Sequence, residues 1–530
     1  SFAPDAADDH ETVIAVVNPR PVRRTEVVER LVVLQPEGPE WDELGLYDEA
    51  GNAVPFEVSE VHYVERFWGI DYREALTFPR QRERFDTYLA TFPERMHRSV
   101  ERKDESDCFF NLRFVAEDLP PLGHANFFLE PRRDAAAGPT SDGGVVVAGD
   151  TIGNEHLSVT LHPDGTFDVL DKRTGETFAG LSRLADTEDI GDEYDFCAAP
   201  DSETVTSRGA EGEVVTVAAG GLVGTLETTF ALWLPESIHP DRRRRGERRV
   251  PCPVRVRVTL RRDARAVDVS VAFENRADDH RLTARFPTGI ASGVLVSDGP
   301  FVVHDRPIER PAGEDWVQPP PDTFPQQEFS LVSGKGRGLA VLSRGLPEVA
   351  AERDEAGGTT IGLTLLRAVG WLSRDDFESR RCMNAGPTIP TPGAQCRGVH
   401  RFHYAVVPYD GDRVAAGLAR ISDLWRHPVI GKQGVKAGLV PGGEGLFETA
   451  DERTVVTAVK RHRERDTLVV RLVNPGPDPV QETLTFGRPV AAAWRTDLLE
   501  SREADLPVAD RTIGLTLAPH EIATLEIEIC

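Results

Sequence analysis

Lysine is scarce in this sequence, although charged residues are abundant. Only six of the 61 basic residues are lysine, and 87 acidic residues bring the formal net charge to −26. Such an acidic excess leaves no basic face for a polyanion, which argues against nucleic-acid binding. Acidic surfaces whose self-repulsion is screened by salt are typical of proteins that work in concentrated brine. We therefore expect a halophilic source.

Long apolar runs and paired cysteines are also missing. No apolar run approaches the ~18 residues of a membrane span, and the polar N-terminus, SFAPDAADDHE, lacks a signal-peptide pattern. The six cysteines are scattered without a C-x-x-C pair, which supports neither a zinc knuckle nor a dense disulfide framework. These features predict a cytoplasmic protein with buried free thiols and no membrane partner. They leave a bridge between Cys382 and Cys396 open.

The common motifs of enzyme active sites are absent too. The sequence contains no serine nucleophile elbow, P-loop or dinucleotide fingerprint, and no β/α alternation that builds a barrel. The pattern H-x-D occurs twice, at His162–Asp164 and His239–Asp241, without a third and fourth ligand at readable spacing. We predict that both are turns and that the chain itself supplies no metal site, cofactor site or catalytic residue.

Short segments of alternating apolar and polar residues dominate what is present. Clear examples begin at Val254 and His280, and Pro163–Gly165 has the Pro-Asp-Gly pattern of a hairpin turn. Many such segments with Gly/Pro turns between them predict a mainly β fold of antiparallel β-sandwich domains with few helices. One helix is predicted after Asp410 or Asp412, from apolar residues at helical spacing: Val414, Leu418, Ile421 and Trp425.

Composition shifts suggest where domains meet. A small-residue connection lies at Asp134–Gly149, and a Gly-rich stretch follows the predicted helix. We predict an N-terminal β-sandwich domain, a large β-domain, a linker and a small C-terminal β-sandwich domain over residues 1–140, 141–428, 429–445 and 446–530. The aromatic and arginine-rich portion His62–Phe92 is either an exposed recognition loop or a cover over a sheet.

The segment Thr359–Val406 is the best candidate for a ligand site. It begins and ends as a strand, and between the strands lies a long loop, which is uncommon in a compact domain unless it is functional or disordered. Its aromatic ring, guanidinium forks and carboxylates suit a polyhydroxylated ligand, and the alternative is a surface loop with solvated charges. The residues concerned are Arg367, Trp371, Arg374, Asp375, Asp376, Arg380 and Arg381.

Two other charged runs have competing interpretations. Asp192, Glu193 and Asp195 in DIGDEYDF resemble a paired acid/base set in isolation. We favour the interpretation that they cap turns or line a rim. The basic run Arg242–Arg245 is predicted to be a solvated hairpin loop.

Several of these segments resemble one known family. LLRAVGWLSR, the GPTIPTPGAQ return, the closing G-x-H-x-F-x-Y-A strand, NEHLSVTLHPDGTFDVLDKRTG and FENRADDHRL are similar to the C-terminal half of glycoside hydrolase family 38, the α-mannosidases. The similarity is greatest to the branch that includes mannosylglycerate hydrolases. It implies that the large β-domain is a galactose-mutarotase-like supersandwich that packs on a catalytic barrel and lends an arginine to the sugar site.

The resemblance also implies site residues and partners. Arg367 matches the family arginine, and the other expected substrate-binding residues are Trp371, Arg374, Asp375, Gln395 and His400. In the family a zinc ion and the two catalytic carboxylates belong to the N-terminal barrel, so zinc is expected there and not in this chain. The expected partners are a carbohydrate, either an α-mannoside or a mannosylglycerate-like compound, and a barrel in cis or in trans. A homo-oligomer stays open.

These implications predict a supporting function. The chain would complete the sugar site of a retaining α-mannosidase-type enzyme, and without a barrel we expect it to be inactive. The alternative is a stand-alone carbohydrate-binding or structural β-protein.

Overall fold

The computed structural model describes residues 12–34, 40–65, 106–133, 144–313, 316, 318–376, 380, 383–435 and 439–530. Most of the aromatic portion His62–Phe92 therefore lies outside the described residues. The chain divides into two compact units, one formed by Ser1–Gly143 with His427–Cys530 and the other by Gly144–Arg426.

The N-terminal part of the first unit is a sandwich of two sheets. Its strands are β1 (Thr12–Val17), β2 (Arg24–Leu34), β3 (Leu44–Tyr47), β4 (Phe56–Glu65), β5 (Ser106–Leu119) and β6 (His124–Pro131). β2 and β5 pair antiparallel, with Val28 opposite Phe114. Buried residues of both sheets, among them Ile14, Phe56 and Phe114, form one apolar core. Burial of such side chains stabilises the fold by about 1.5–3 kcal/mol each.

The second unit contains most of the strands. They are β7 (Val146–Ala148), β8 (Thr151–Gly153), β9 (Leu157–Leu161), β10 (Phe167–Asp171), β11 (Glu176–Leu181), β12 (Arg183–Glu188), β13 (Val205–Thr206), β14 (Glu213–Ala219), β15 (Val223–Pro235), β16 (Arg249–Arg261), β17 (Val267–Asn275), β18 (His280–Pro287), β19 (Val294–Gly299), β20 (Val302–Pro307), β21 (Thr323–Pro325), β22 (Phe329–Gly334), β23 (Arg337–Ser343), β24 (Glu348–Arg353), β25 (Thr359–Ala368) and β26 (Gly398–Asp410).

These strands form a five-stranded, a six-stranded and a nine-stranded sheet. The two larger sheets and the smaller one enclose a single core that includes Val256, Phe286 and Tyr404. In β16 Val254, Val256 and Val258 are buried while Arg255 and Arg257 are exposed, because successive side chains of a strand point to opposite faces. The alternation in the sequence therefore identifies the core face correctly.

One connection in this unit crosses between the two large sheets. β25 lies inside the six-stranded sheet between β18 and β24, whereas β26 lies inside the nine-stranded sheet between β17 and β23. Residues 369–397, which we call the site loop, join the end of β25 to the start of β26. Both ends of the site loop are thus anchored in strands that have neighbours on each side.

The predicted helix is shorter than its apolar pattern suggests. α1 spans Leu418–Arg426, and Asp412 accepts a hydrogen bond of 2.8 Å from the Val414 amide ahead of it. Gly417 has a φ of +67°, a left-handed conformation that interrupts a right-handed helix. Asp412 therefore caps a turn that precedes Gly417, and the prediction that it caps the helix is wrong.

The chain then returns to the first unit. Its remaining strands are β27 (Ile430–Val435), β28 (Phe447–Thr449), β29 (Val455–Arg461), β30 (Leu468–Val473), β31 (Val480–Phe486), β32 (Val490–Thr496), β33 (Arg502–Asp505), β34 (Val508–Ala509), β35 (Thr512–Leu517) and β36 (Ile522–Ile529). β27 pairs with β1, so the segment predicted as a linker includes a strand. β28 to β36 form a second sandwich of a four-stranded and a five-stranded sheet. The domain boundaries stay predictions.

The fold class is confirmed. Throughout the described ranges the strand pairs are antiparallel and the sheets pack as sandwiches, with α1 as the one α-helix. In that same part of the chain, no helix has the length and apolar character needed to cross a membrane.

Candidate functional site

Arg367 at the end of β25 is held by a buried carboxylate. Its Nη2 lies 2.7 Å from Oδ2 of Asp189, whose side chain is completely buried. Its Nε donates to the same oxygen at 2.9 Å, and Nη2 also donates to the Asp192 carbonyl at 2.8 Å. Burial raises the pKa of Asp189, and this effect is larger than the lowering by Arg367 and by the amides of Cys197 and Gly191. Arg367 is therefore oriented by ionic and backbone contacts, with Nη1 left for another partner.

Asp192 joins two loops through its carboxylate. Oδ1 accepts hydrogen bonds of 3.0 Å from the amides of Tyr194 and Asp195, and Oδ2 accepts one of 2.8 Å from the amide of Arg374 in the site loop. The Arg380 guanidinium adds a contact of 2.6 Å. Burial raises the pKa of Asp192, but these hydrogen bonds outweigh it and the pKa is lowered. Asp192 thus caps a turn, in line with the interpretation favoured from the sequence.

Arg380 extends this connection inside the site loop. It contacts Asp195 Oδ2 at 2.6 Å, and its Nη1 donates to the Ser373 hydroxyl at 3.2 Å. Asp195 in turn accepts a hydrogen bond of 2.7 Å from Gln318. The Arg380 side chain is only 5% exposed, so it serves as internal support for the loop. We call residues 189–197, which carry Asp189, Asp192 and Asp195, the acidic turn.

The exposed side of the site loop is formed by Trp371, Arg374 and Asp376. The Arg374 guanidinium lies 4.8 Å from the centre of the Trp371 ring, a cation–π contact. Its Nε donates to Asp376 at 2.8 Å, and Arg242 lies 3.5 Å from the same carboxylate. Trp371 is half-buried and forms an isolated bridge with Pro390 on the return of the loop. Aromatic and guanidinium groups are therefore available together at this surface.

Gln395 and His400 close the other end of the loop. Gln395 accepts a hydrogen bond of 2.9 Å from the Asp279 amide and donates one of 2.8 Å to the Asp279 carboxylate. His400 Nε2 lies 2.6 Å from the carbonyl of Cys396, whose thiol is free. The amide of Gln395 is consequently occupied by structural contacts, which leaves little of it for a ligand.

Three further predicted positions belong to the site loop, and one of them lies within the described residues. Asp375 is exposed on the site loop, and the carboxylate that holds the Arg367 guanidinium is Asp189. Arg381 and Cys382 lie outside the described residues. Sequence analysis missed Asp189 and Asp279, and the only available signal was an acidic residue beside a loop with surplus arginines.

The basic run was also partly misjudged. Arg243 and Arg244 are exposed, but the Arg245 side chain is only 4% exposed, pairs with Asp186, and lies 3.3 Å from Glu188. Both carboxylates are buried on β12, and buried carboxylates require a counter-charge. A solvated loop is therefore wrong for Arg245.

The histidines of the two H-x-D patterns each lie beside a carboxylate. His162 lies 3.2 Å from Asp168, and His239 lies 2.9 Å from Asp241 in its own turn. Within the described ranges, no three His, Cys, Asp or Glu side chains are grouped so that they could hold a metal ion. These residues therefore do not fit the zinc site that the resemblance places in a barrel.

Two family models match the chain. The model for the glycosyl hydrolases family 38 C-terminal domain matches residues 152–378, which include the acidic turn and the start of the site loop. The model for the glycosyl hydrolases family 38 C-terminal beta sandwich domain matches residues 453–525. Together they account for more than half of the chain.

Comparisons with individual proteins agree with these matches. A protein of Halalkalibacterium halodurans, provisionally named mannosylglycerate hydrolase, is 28% identical over 398 residues, which are 71% of this chain and 41% of that protein. Two solved structures from Enterococcus faecalis share the fold. A protein in glycosyl hydrolase family 38 has a TM-score of 0.77 and 21% identity, and an alpha-mannosidase has a TM-score of 0.76 and 20% identity.

These matches cover most of this chain but only part of each relative. Each solved structure covers 98% of this chain, and the matched regions are 58% and 56% of the solved chains. The chain thus spans about half the length of the proteins it matches. Because two models of this one family match in order over more than half of the chain, the chain belongs to glycoside hydrolase family 38.

Proposed function

We propose that this chain is the C-terminal β-rich part of an α-mannosidase-type glycoside hydrolase. In this proposal the site loop completes a sugar site whose catalytic groups and zinc belong to a barrel, supplied in cis or in trans. The observation that carries it is the anchoring of Arg367 and of the site loop by two buried carboxylates, Asp189 and Asp192. Such support is what a ligand site needs if its donors are to be fixed before the ligand arrives.

The contacts of Arg367 suggest how it would meet a sugar. Nε and Nη2 already donate to Asp189 and to the Asp192 carbonyl. Nη1 then remains for a hydroxyl group. Arg367 would therefore offer one end of its guanidinium, and the orientation of that end would be set by Asp189.

Aromatic groups would supply the apolar contacts of the site. Tyr194 is 53% exposed, and the Arg380 guanidinium lies 5.8 Å from its ring centre. Trp371 has Arg374 on one side of its ring, so its other face or edge would meet a sugar. We propose direct roles for Arg367, Trp371 and Arg374, a rim role for Asp375, and supporting roles for Gln395 and His400. We also propose that the protein works in the cytoplasm of a halophile.

The proposal is tested with an aryl α-mannoside and with mannosylglycerate. Each is given to this chain alone, to a family 38 barrel encoded by the same genome, and to both together, in about 2 M KCl. We expect turnover only with both, and a chelator should abolish it because the zinc belongs to the barrel. Chelator-sensitive turnover by this chain alone contradicts the proposal. Sugar binding that no barrel converts into turnover identifies a stand-alone binding protein instead.

A further inference from the structure

His280, at the start of β18, belongs to a buried cluster of charged side chains. The carboxylates of Asp186 and Glu188 on β12 are completely buried, and His280 is only 2% exposed. Arg245 pairs with Asp186 and lies 3.3 Å from Glu188. Nδ1 of His280 lies 2.5 Å from Oδ2 of Asp186. Two carboxylates and one guanidinium therefore surround a histidine that is almost inaccessible to water.

The hydrogen bonds of Asn275 define the orientation of its amide. Nδ2 lies 2.9 Å from the Gln395 carbonyl and 3.1 Å from the Cys396 carbonyl, so this atom is the donor. Oδ1 accepts a hydrogen bond of 3.0 Å from the Ala277 amide and lies 3.0 Å from Nε2 of His280. Because an amide oxygen can only accept hydrogen bonds, Nε2 of His280 carries a proton.

The other ring nitrogen of His280 faces an acceptor as well. Nδ1 points at Asp186, whose second oxygen accepts a hydrogen bond from Arg245. A neutral imidazole has one donor and one acceptor nitrogen, so it would satisfy only one of these two contacts. It would also leave the carboxylates of Asp186 and Glu188 with Arg245 as their one cation among the described residues. Buried charges are normally paired, and an imidazolium satisfies both contacts and balances the charge.

The remaining neighbours of the ring supply no second cation. Burial raises the pKa of Asp279, the preceding residue, and the hydrogen bond from Gln395 opposes this effect. Burial also raises the pKa of the Cys252 thiol near Asp186, so the thiol adds no charge. Phe273, with its ring centre 6.4 Å away, and Ala368, opposite on β25, are apolar. The charged and titratable groups around the ring are thus Asp186, Glu188, Arg245, Asp279 and Cys252.

We infer that His280 carries a proton on both ring nitrogens and is a positioning residue for the site loop. Through Asn275 it holds the last residues of that loop. The same cluster fixes the acidic turn, because Glu188 accepts a hydrogen bond of 3.1 Å from the Ala199 amide just after it. The inference rests on the proposed function in one respect, namely that the loop held in this way belongs to a sugar site.

The protonation state is measured by NMR on this chain alone, with both ring nitrogens of histidine labelled with ¹⁵N. The signals of His280 are those that disappear in His280→Gln. At pH 8 an exposed histidine is neutral, whereas we expect both ring nitrogens of His280 to carry protons. His403 is the internal control, because burial, Arg344 and Arg401 lower its pKa and one of its ring nitrogens should lack a proton. A His280 ring nitrogen without a proton at pH 8 overturns the inference.

The positioning role is measured by hydrogen exchange on the same chain. The amides of Thr391 and Ala394 donate hydrogen bonds of 2.9 Å within the site loop. They should exchange about tenfold faster or more in His280→Gln, whereas the amides of β9 should keep their rates. His403→Gln is the matched control and should change neither group. Urea unfolding gives the global stability of each variant. Exchange that is faster to the same extent in β9 would make His280 a merely structural residue and overturn the inference.

Asn275→Ser tests the connection between the ring and the loop. It should accelerate exchange of the same loop amides, and adding His280→Gln should have little further effect, because both substitutions break one chain of hydrogen bonds. Fully additive effects overturn the inference. If His280→Gln does not fold, Asn275→Ser identifies the His280 signals by their shift and supplies the exchange measurement.

The proposed function is judged separately, from turnover of the aryl α-mannoside with the barrel. In that mixture His280→Gln should lower kcat/KM by about tenfold, because a displaced loop no longer orients the sugar, and His403→Gln should leave it unchanged. Turnover by a wild type with a singly protonated His280 rejects only the inference. A doubly protonated His280 without any turnover rejects only the proposed function.

Discussion

Asp192 in the acidic turn and Glu526 in the C-terminal sandwich are both completely buried carboxylates bound by arginine. Their partners differ. Glu526 is held by the side chains of Arg465, Arg502 and Thr467 at 2.7–3.0 Å. Three of the four groups that bind Asp192 within 3.0 Å are backbone amides of two loops. A buried carboxylate bound by arginine therefore stabilises a regular sheet at Glu526, whereas at Asp192 it fixes the conformation of two loops.

This difference in partners predicts which carboxylate, when substituted, destabilises the protein more. Arg465 and Arg502 reach Glu526 from the surface and are about one-third exposed, so water can solvate them if the carboxylate is removed. Arg380 is almost completely buried, so water cannot solvate it in the same way. Removing one partner of a buried pair is strongly destabilising.

The largest effect is expected from Asp192→Ala. It leaves the buried Arg380 with Asp195 as its remaining carboxylate and leaves three amides without an acceptor, and the free energy of unfolding should fall by about 3–5 kcal/mol. Urea unfolding measures it, with Asp376→Ala as control. Asp376 is 40% exposed, and its loss should cost about 1 kcal/mol or less. Equal losses in the two variants would show that Asp192 is not a buried anchor.

A smaller effect is expected from Glu526→Gln. The amide keeps the shape of the carboxylate but loses the charge-assisted hydrogen bonds, so the free energy of unfolding should fall by about 1.5–3 kcal/mol at pH 7. Glu528→Gln on the same strand is the control, because Glu528 is exposed. A Glu526→Gln variant as stable as this control would contradict the assignment.

The same variant has a defined pH dependence. Burial raises the pKa of Glu526, but Arg502 and Arg465 outweigh it, and the pKa is well below its usual range. A carboxyl group whose pKa is lowered in the folded state stabilises the protein above its unfolded pKa, about 4.3. That contribution is lost as pH falls toward the folded pKa. Between pH 7 and pH 3, the wild type should therefore lose part of its advantage over Glu526→Gln, whereas its difference from Glu528→Gln should stay small.

Arg367→Lys tests whether the arginine held by the acidic turn acts in catalysis as well as in stability. Lysine keeps the charge but loses the planar fork that meets Asp189 and the Asp192 carbonyl together. With the barrel present, kcat/KM should fall by about tenfold, equivalent to about 1.4 kcal/mol of transition-state stabilisation. The free energy of unfolding should fall by a similar amount, because Asp189 loses part of its partner. Unchanged kcat/KM in a variant with lowered stability would make Arg367 a purely structural residue.

Sequence reasoning identified the fold well because its signals are local. The alternation of Val254 and Arg255 follows directly from strand geometry, whereas Asp412 caps a turn ahead of α1 and not the helix itself. Gly417 was overlooked, although its left-handed conformation explains why α1 begins later than predicted. Here one glycine outweighed an apolar pattern at helical spacing.

The site was predicted less completely because its decisive contacts are distant in sequence. Arg367 pairs with Asp189, 178 positions away, and no local pattern specifies that distance. Arg245 was predicted to be solvated because it lies in an arginine run, but it forms ion pairs with the buried carboxylates of β12. Residue types indicated a site loop rich in arginine, whereas only the tertiary structure assigns which arginines are internal supports.

The smallest expected effect is the change in stability with salt concentration, which should differ between exposed and buried charges. With a net charge of −26, self-repulsion should weaken the fold at low salt, where the Debye length is about 30 Å at 0.01 M, and less at 1 M, where it is about 3 Å. The Tm of the wild type should therefore rise between 0.05 M and about 3 M KCl, and a flat profile would contradict a halophilic origin. The deficit of Asp376→Ala, an exposed pair, should shrink with added salt by about 0.5 kcal/mol. The deficit of Asp192→Ala should hardly change, because solvent ions do not reach a buried pair, and a deficit that disappears in salt would place Asp192 at the surface.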